Sequence, residues 1–367
     1  MNIYQELGLQ KIVNASGRMT ALGVSTVNTE TAKAMSVASM SFVAITDLIN
    51  VAGKIIALYA DAEDACPTSG AAAGIAIATA ACIAKNSITI TQQLPFSEGL
   101  VNEVVIQKGH CINFGAPVTQ MIRLGGGKAV EVGETNHTLA LNITEAITEK
   151  TAAMLYVKSH HCVQKGMVSI EEMIAISKQM NIPLIVDAAA EEDLRLYIAK
   201  GATLVIYSGA KAIEGPTSGF IAGKKEWISS CKLQYNGIGR SMKIGKEGIM
   251  GLLKALELFE SKDIESIRKK QMEKLQYMQQ YLVNIKGLKI DLEKDSADRE
   301  IFRLKVTVDP YKAKLNCSKL IEGLEAGEIS IRTRNHYSNL GIIEIDPRPL
   351  LDGDEVLIVE KFKELLA

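Results

Sequence analysis

The chain has 367 residues, 47% hydrophobic and 23% charged, enough apolar material for a large core and a composition that excludes intrinsic disorder. Its formal net charge is −1, so no whole-molecule field draws it to nucleic acid or to an anionic membrane. The longest small-residue apolar run, Ala71 to Ala84, is too short and too rich in alanine to span a bilayer.

The N-terminus, MNIYQELGLQKIV, lacks the basic-then-apolar layout of a signal peptide, which leads us to expect a cytoplasmic chain. The six cysteines are scattered without CxxC spacing, so neither a disulfide framework nor a zinc site is expected. A short arm, Met1 to Val27, carries Asn14-Ala15-Ser16-Gly17-Arg18, and helical patterns follow to Tyr59. Cys66-Pro67-Thr68-Ser69-Gly70 then opens a small-residue helix, AAAGIAIATAACIAK. Free N–H groups and the helix dipole at such a capped start bind phosphate; an ordinary, tightly packed alanine helix has the same pattern. Strands are predicted at Val104–Gln107, Ala129–Val132 and Ala152–Val157, with a helix at Thr144–Lys150.

Two further apolar runs carry the argument. Ile182 to Val186 ends in Asp187, Thr203 to Tyr207 ends in Ser208-Gly209-Ala210-Lys211, and the amphipathic stretch Glu191 to Lys200 separates them. A strand, a crossover helix and a parallel strand bring both carboxyl ends to one sheet edge, where α/β folds bind ligands. A lysine and an acid so placed suit pyridoxal 5'-phosphate. The lysine forms a Schiff base and the carboxylate keeps the pyridine nitrogen protonated. The plainer alternative is a helix-capping Asp187 and a solvated Lys211. Against it stand Ser208, whose hydroxyl reaches a phosphate, and Gly209, Gly215 and Gly219, which allow close backbone approach. Beyond Trp227 a long linking helix is predicted over 246–284. A small domain, 285–367, follows, with strands at Leu288–Leu292, Ile301–Val308, Ile329–Thr333 and Ile342–Ile345. Its helices are predicted at Ser318–Leu324 and Asp354–Leu366. The large domain then covers 1–245.

These residues resemble the lysine segment of fold-type I pyridoxal-phosphate enzymes. They are most similar to the selenocysteine synthase-like branch, whose motif reads much like Ser-Gly-x-Lys followed by Gly-Pro-x-x-Gly. The phrases NASG and EVGETNHTLALNITEAI share the likeness. The resemblance implies an α/β, aspartate aminotransferase-like large domain with a mostly parallel sheet, plus a smaller C-terminal α+β domain. It further implies Lys211 and Asp187 as the catalytic pair, with Ser69, Gly70, Ala71 and Ser208 around the cofactor phosphate. His110 would stack over the cofactor ring. Thr217 would reach a neighbouring subunit's phosphate in a homo-oligomer with sites at a dimer interface. His160, beside His161 at the end of the strand Ala152–Val157, would meet the cofactor or substrate.

In this fold an arginine from the C-terminal domain usually grips the substrate carboxylate, since its planar fork matches two oxygens. Arg332, Arg334 and Arg348 are available, with Arg334 and Arg348 favoured. Arg18, Arg240 and Lys243 are candidates for a distal phosphate. Selenocysteine synthase carries an extra N-terminal domain for its tRNA and an acid where Ala210 stands here. With the near-neutral charge, this points away from a nucleic-acid partner and towards a small-molecule substrate. The shorter ammonia-lyases of the branch imply β-elimination from a phosphorylated 2-amino sugar acid, D-glucosaminate 6-phosphate, giving 2-keto-3-deoxy-6-phosphogluconate and ammonia. Aminotransferase, racemase and aldolase activities share the same lysine, acid and phosphate turn. A non-catalytic, selenocysteine synthase-like protein is the remaining alternative.

Overall fold

Twelve strands form among the described residues, which are 3–159, 161–295 and 300–366 of this computed structural model. They are β1 (Lys11–Ala15), β2 (Asp64–Thr68), β3 (Glu103–Gln107), β4 (Lys128–Val132), β5 (Thr151–Val157) and β6 (Leu184–Asp187). The rest are β7 (Leu204–Ser208), β8 (Gly219–Gly223), β9 (Leu288–Lys294), β10 (Phe302–Val308), β11 (Ile329–Thr333) and β12 (Ile342–Ile345). The chain divides into two units: residues 27–261, and residues 1–26 together with 262–367.

In the unit 27–261 a seven-stranded sheet has the order β2-β8-β7-β6-β5-β3-β4. Only β8 runs against its neighbours, β2 and β7; the pairings of β3 with β4 and β5, of β5 with β6 and of β6 with β7 are parallel. Strands buried on both faces need continuous apolar runs, and every residue of β5 and β6 is buried. Alternation sorts their side chains. Tyr156, Val186, Val205 and Tyr207 enter one core cluster, whereas Val157, Ile185 and Ile206 enter the other with the helix Ala71–Ala84. Each large aliphatic side chain buried this way stabilises by roughly 1.5–3 kcal/mol. The helix lies close to the sheet because it is made of small residues: a Cβ on Gly74 would stand 2.8 Å from Ile206 Cγ2.

The second unit is α+β. An antiparallel sheet, β12-β10-β9, and a parallel pair, β1-β11, pack with the helices Ile264–Leu282, Cys317–Glu325 and Asp354–Leu366. No helix among the described residues is long and apolar enough to cross a membrane.

Several expectations are corrected. The crossover helix starts only at Leu196, after a turn in which Asp193 Oδ1 accepts from the Arg195 and Leu196 N–H groups. The expected linking helix over 246–284 is two helices, Lys246–Glu260 and Ile264–Leu282, the second begun afresh by Asp263 accepting from the Ser266 N–H at 3.0 Å. The arm leaves the large domain: β1 pairs with β11 from Lys11↔Ile329 to Ala15↔Thr333. The helix Thr144–Lys150 lies earlier, at Ala140–Ala146.

Candidate active site

Four sequence-distant elements meet at the carboxyl edge of the seven-stranded sheet. β6 ends in Asp187, whose register partner on β7 is Ile206 and on β5 is Val157. Two residues beyond Ile206, Ser208 shares the sheet face of Asp187, the face covered by the helix Ala71–Ala84. Ser208 is opposite Gly219 on β8, which is in turn opposite Thr68 on β2. A Cβ at Gly219 would lie 2.8 Å from the Gly70 carbonyl carbon and 2.9 Å from Ala71 N. The missing side chain therefore lets the start of the helix close onto the β7–β8 turn. Ser69, Gly70 and Ala71 are half-buried there, with the unpaired N–H groups of a helix N-terminus.

Lys211 follows in the tight connection from β7 to β8. That turn is fixed by the Gly209 N–H on Ser218 O (2.8 Å) and the Gly215 N–H on Gly209 O (2.7 Å). Lys211 is half-buried, whereas Thr217 in the same turn is exposed. Asp187 is 7% exposed and its Oδ1 accepts from the Ala189 N–H at 3.1 Å. Burial pushes its carboxyl up to about 6, against the lowering effects of the Lys211 charge and the Ala189 N–H. Lys211 thus acts electrostatically on Asp187, as the strand–crossover–strand reading requires.

This donor set fits pyridoxal phosphate. The Lys211 amine is a carbonyl-reactive group. Buried Asp187 suits a cationic ring N–H. The helix start with Ser208 supplies donors for a dianionic phosphate.

The other expected residues divide. His110 is fully buried, held edge-on to Tyr156 with ring centroids 4.6 Å apart. A ring stacked on a cofactor must present a face to the cofactor's cavity, and the buried His110 ring presents none. His160 lies outside the described residues, and neighbouring His161 is exposed. Arg240 and Lys243 are also exposed.

Within the second unit Arg18, Arg334 and Arg348 belong to one locality. Arg348 forks onto Asp346, Nε to Oδ1 at 2.9 Å and Nη2 to Oδ2 at 2.7 Å. Arg303 Nε shares that carboxylate at 3.1 Å. Arg334 Nε donates to Glu344 at 3.1 Å, whereas Arg332 pairs with Glu325 at 2.6 Å. Gly17, the neighbour of Arg18, closes on the same group: its Cβ would meet Asp346 Oδ2 at 3.1 Å. Burial pushes the Asp346 carboxyl up, but Arg348 and Arg303 outweigh it and hold the group well below the usual carboxylate range. Sequence reasoning missed Asp346 and Arg303. The acid two residues before Arg348, in DPRPL, is the signal that identifies the first; a lone arginine within β10 gives none.

The sequence pattern of the L-seryl-tRNA selenium transferase family (SelA) matches residues 73–341. Over 364 residues the chain is 47% identical to D-glucosaminate-6-phosphate ammonia lyase of Salmonella typhimurium, covering 99% of this chain and 98% of that protein. It is 42% identical to 5'-C-glycyluridine monooxygenase-decarboxylase of a Streptomyces species, covering 99% and 92%. A solved structure of D-glucosaminate-6-phosphate ammonia-lyase superimposes with a TM-score of 0.94 at 47% identity, over 100% of this chain and 98% of that one. Aspartate aminotransferase from Thermus thermophilus with maleate, 14% identical, superimposes at 0.55 over 99% and 94%, a likeness of fold alone. The chain belongs to the SelA family, as an enzyme of the fold-type I pyridoxal-phosphate class.

Proposed function

We propose that this pyridoxal-phosphate ammonia-lyase acts on a phosphorylated 2-amino sugar acid, D-glucosaminate 6-phosphate, and releases 2-keto-3-deoxy-6-phosphogluconate and ammonia. The observation that carries the reading is the full-length 47% identity to the Salmonella ammonia lyase. When bound, pyridoxal phosphate delocalises the electron pair left at Cα after proton loss. Lys211 Nζ would hold the cofactor between turnovers and, as a free amine, would be the base for the Cα proton. Asp187 keeps the ring nitrogen protonated through a charge-assisted hydrogen bond. Ser69, Gly70, Ala71 and Ser208 bind the phosphate of the cofactor, and Thr217 serves a partner copy. The C3 hydroxyl leaves as water, and the unsaturated amine then reacts with water to give the keto acid and ammonia.

In this reading Arg334 or Arg348 takes the substrate carboxylate, and Arg18 helps hold its distal phosphate. Homo-oligomer formation is supported by an exposed apolar groove of about 770 Å³ lined by Val37, Phe42, Val43, Leu48 and Met250. A cytoplasmic setting agrees with the six free cysteines.

The test is a panel of 2-amino sugar acids, with and without phosphate, assayed for ammonia and keto acid in the absence of any amino acceptor. D-glucosaminate 6-phosphate should exceed its unphosphorylated form steeply in kcat/KM, because remote binding energy helps position the reacting centre. Equal values remove the phosphate site from the reading. The 42% identity to a monooxygenase-decarboxylase favours a second reading, oxygen-dependent decarboxylation. Ammonia release undiminished without oxygen decides against it. Borohydride reduction of the loaded enzyme should fix cofactor to Lys211 and to no residue in Lys211→Ala; a label on another lysine overturns that assignment.

A further inference from the structure

β3 ends at Gln107 and turns into a 3-10 turn over Lys108–His110, one residue past the level at which Ile106 pairs with Leu155 of β5. β5 runs two residues further, to Val157, which is 1% exposed. The Val157 N–H faces the side where β3 has stopped supplying carbonyls, and an unpaired buried N–H is costly. The His110 ring fills that position: the Val157 N–H donates to Nδ1 at 3.1 Å.

Accepting there leaves Nδ1 without a proton, so the neutral imidazole carries its proton on Nε2. Burial, reinforced by the Lys158 charge, holds the ring down to about 4, which keeps it neutral in the working range. The ring cannot turn away. Tyr156 packs edge-on against it, with ring centroids 4.6 Å apart. On its other side the same end of β5 grips Asp187. Val157 is the register partner of Asp187, and the Lys158 N–H donates to Asp187 O at 2.8 Å.

We propose that His110 is a positioning residue for Asp187: its imidazole replaces the strand carbonyl that β5 lacks at Val157 and so fixes the strand end that holds the cofactor carboxylate. The proposal rests on the assignment of Asp187 to the ring nitrogen.

The experiment compares His110→Asn, whose amide oxygen can stand where Nδ1 stands, with His110→Leu, which has no acceptor. His110→Gln, whose oxygen reaches the place of Nε2 instead, is the polar control should the leucine variant fail to fold. Nitrogen NMR of the cofactor-free protein should show His110 with a bare, accepting Nδ1 and a protonated Nε2; the opposite tautomer overturns the proposal. In the loaded enzyme His110→Leu and His110→Gln should lower kcat by about ten- to a hundredfold with KM little changed. They should also shift the pH midpoint of the cofactor's visible band, and His110→Asn should restore both. Equal loss in all three variants assigns His110 to packing alone and overturns the proposal. Wild-type kcat in Asp187→Asn overturns the Asp187 assignment and this proposal with it. An inactive Asp187→Asn beside an unaffected His110→Leu overturns this proposal only.

Discussion

Asp187, in the role proposed for it, would serve function at a cost to the fold. Before cofactor binds, its buried carboxyl has a pKa of about 6, against 3.8 for the free group, burial being the main cause. The folded apoprotein therefore binds more protons than the unfolded chain between those values, and its stability falls as pH rises through that window. By pH 8 the penalty is complete, about 3 kcal/mol from a shift of roughly two units. Asp187→Asn lacks the ionisation. We expect its cofactor-free form to be more stable than wild type at pH 8, with the gap closing below about pH 4. The loaded variant should lose kcat by orders of magnitude, since the ring nitrogen has lost its anion. Thermal melts across pH with kcat measurements check both. A gap that widens on acidification contradicts the electrostatic account, and wild-type turnover contradicts the role.

At the scale of elements, the proposed phosphate cradle depends on how closely the start of the helix Ala71–Ala84 approaches β8. Gly219→Ala would bring Cβ to 2.8 Å from the Gly70 carbonyl carbon and equally near Tyr207 O, all backbone that cannot swing aside. The helix start must shift, and cofactor affinity should fall by about tenfold or more, 1.4 kcal/mol. Cofactor titration of the apoprotein measures it; unchanged affinity removes this helix from the phosphate site.

The same elements show what the sequence made legible. β5, β6 and β7 could be read because strands buried on both faces must be continuously apolar; Asp187 ends β6, and Lys211 follows the end of β7. β2 and β8 could not. DACPT contains Pro67, which only an edge strand tolerates, and GFIAG is short and bounded by glycines. Nor could β1, whose partner strand lies at the far end of the chain. His110 was placed at the correct sheet edge but in the wrong role, because sequence gives a residue's level along a strand and not what closes over it.

At the scale of the whole molecule, the chain is discontinuous: residues 27–261 form one unit, while 1–26 and 262–367 form the other. The second unit needs both chain ends. Val13 and Ala15 of β1 are fully buried in its core with Leu275, Leu304, Ile331 and Phe362. The Asp346 N–H, next to the carboxylate that grips Arg303 and Arg348, donates to Ala15 O at 2.8 Å. Closure of β1 onto β11 joins segments from opposite ends of the sequence, so burial in the core has to offset the entropy of closing a long loop. The unit 27–261 has its own sheet and its own two cores. Val13→Ala should therefore cost about 2 kcal/mol, and Val13→Asp considerably more, since it buries an unpaired carboxylate. We expect the loss to fall on one unit. In Val13→Asp limited proteolysis should cut within 262–367 while 27–261 stays protected, and calorimetry should show a lowered first transition with the second unmoved. Simultaneous loss of protection across both units would mean that they unfold as one cooperative body, and that the β1–β11 pair supports the cofactor site as directly as it supports the small unit.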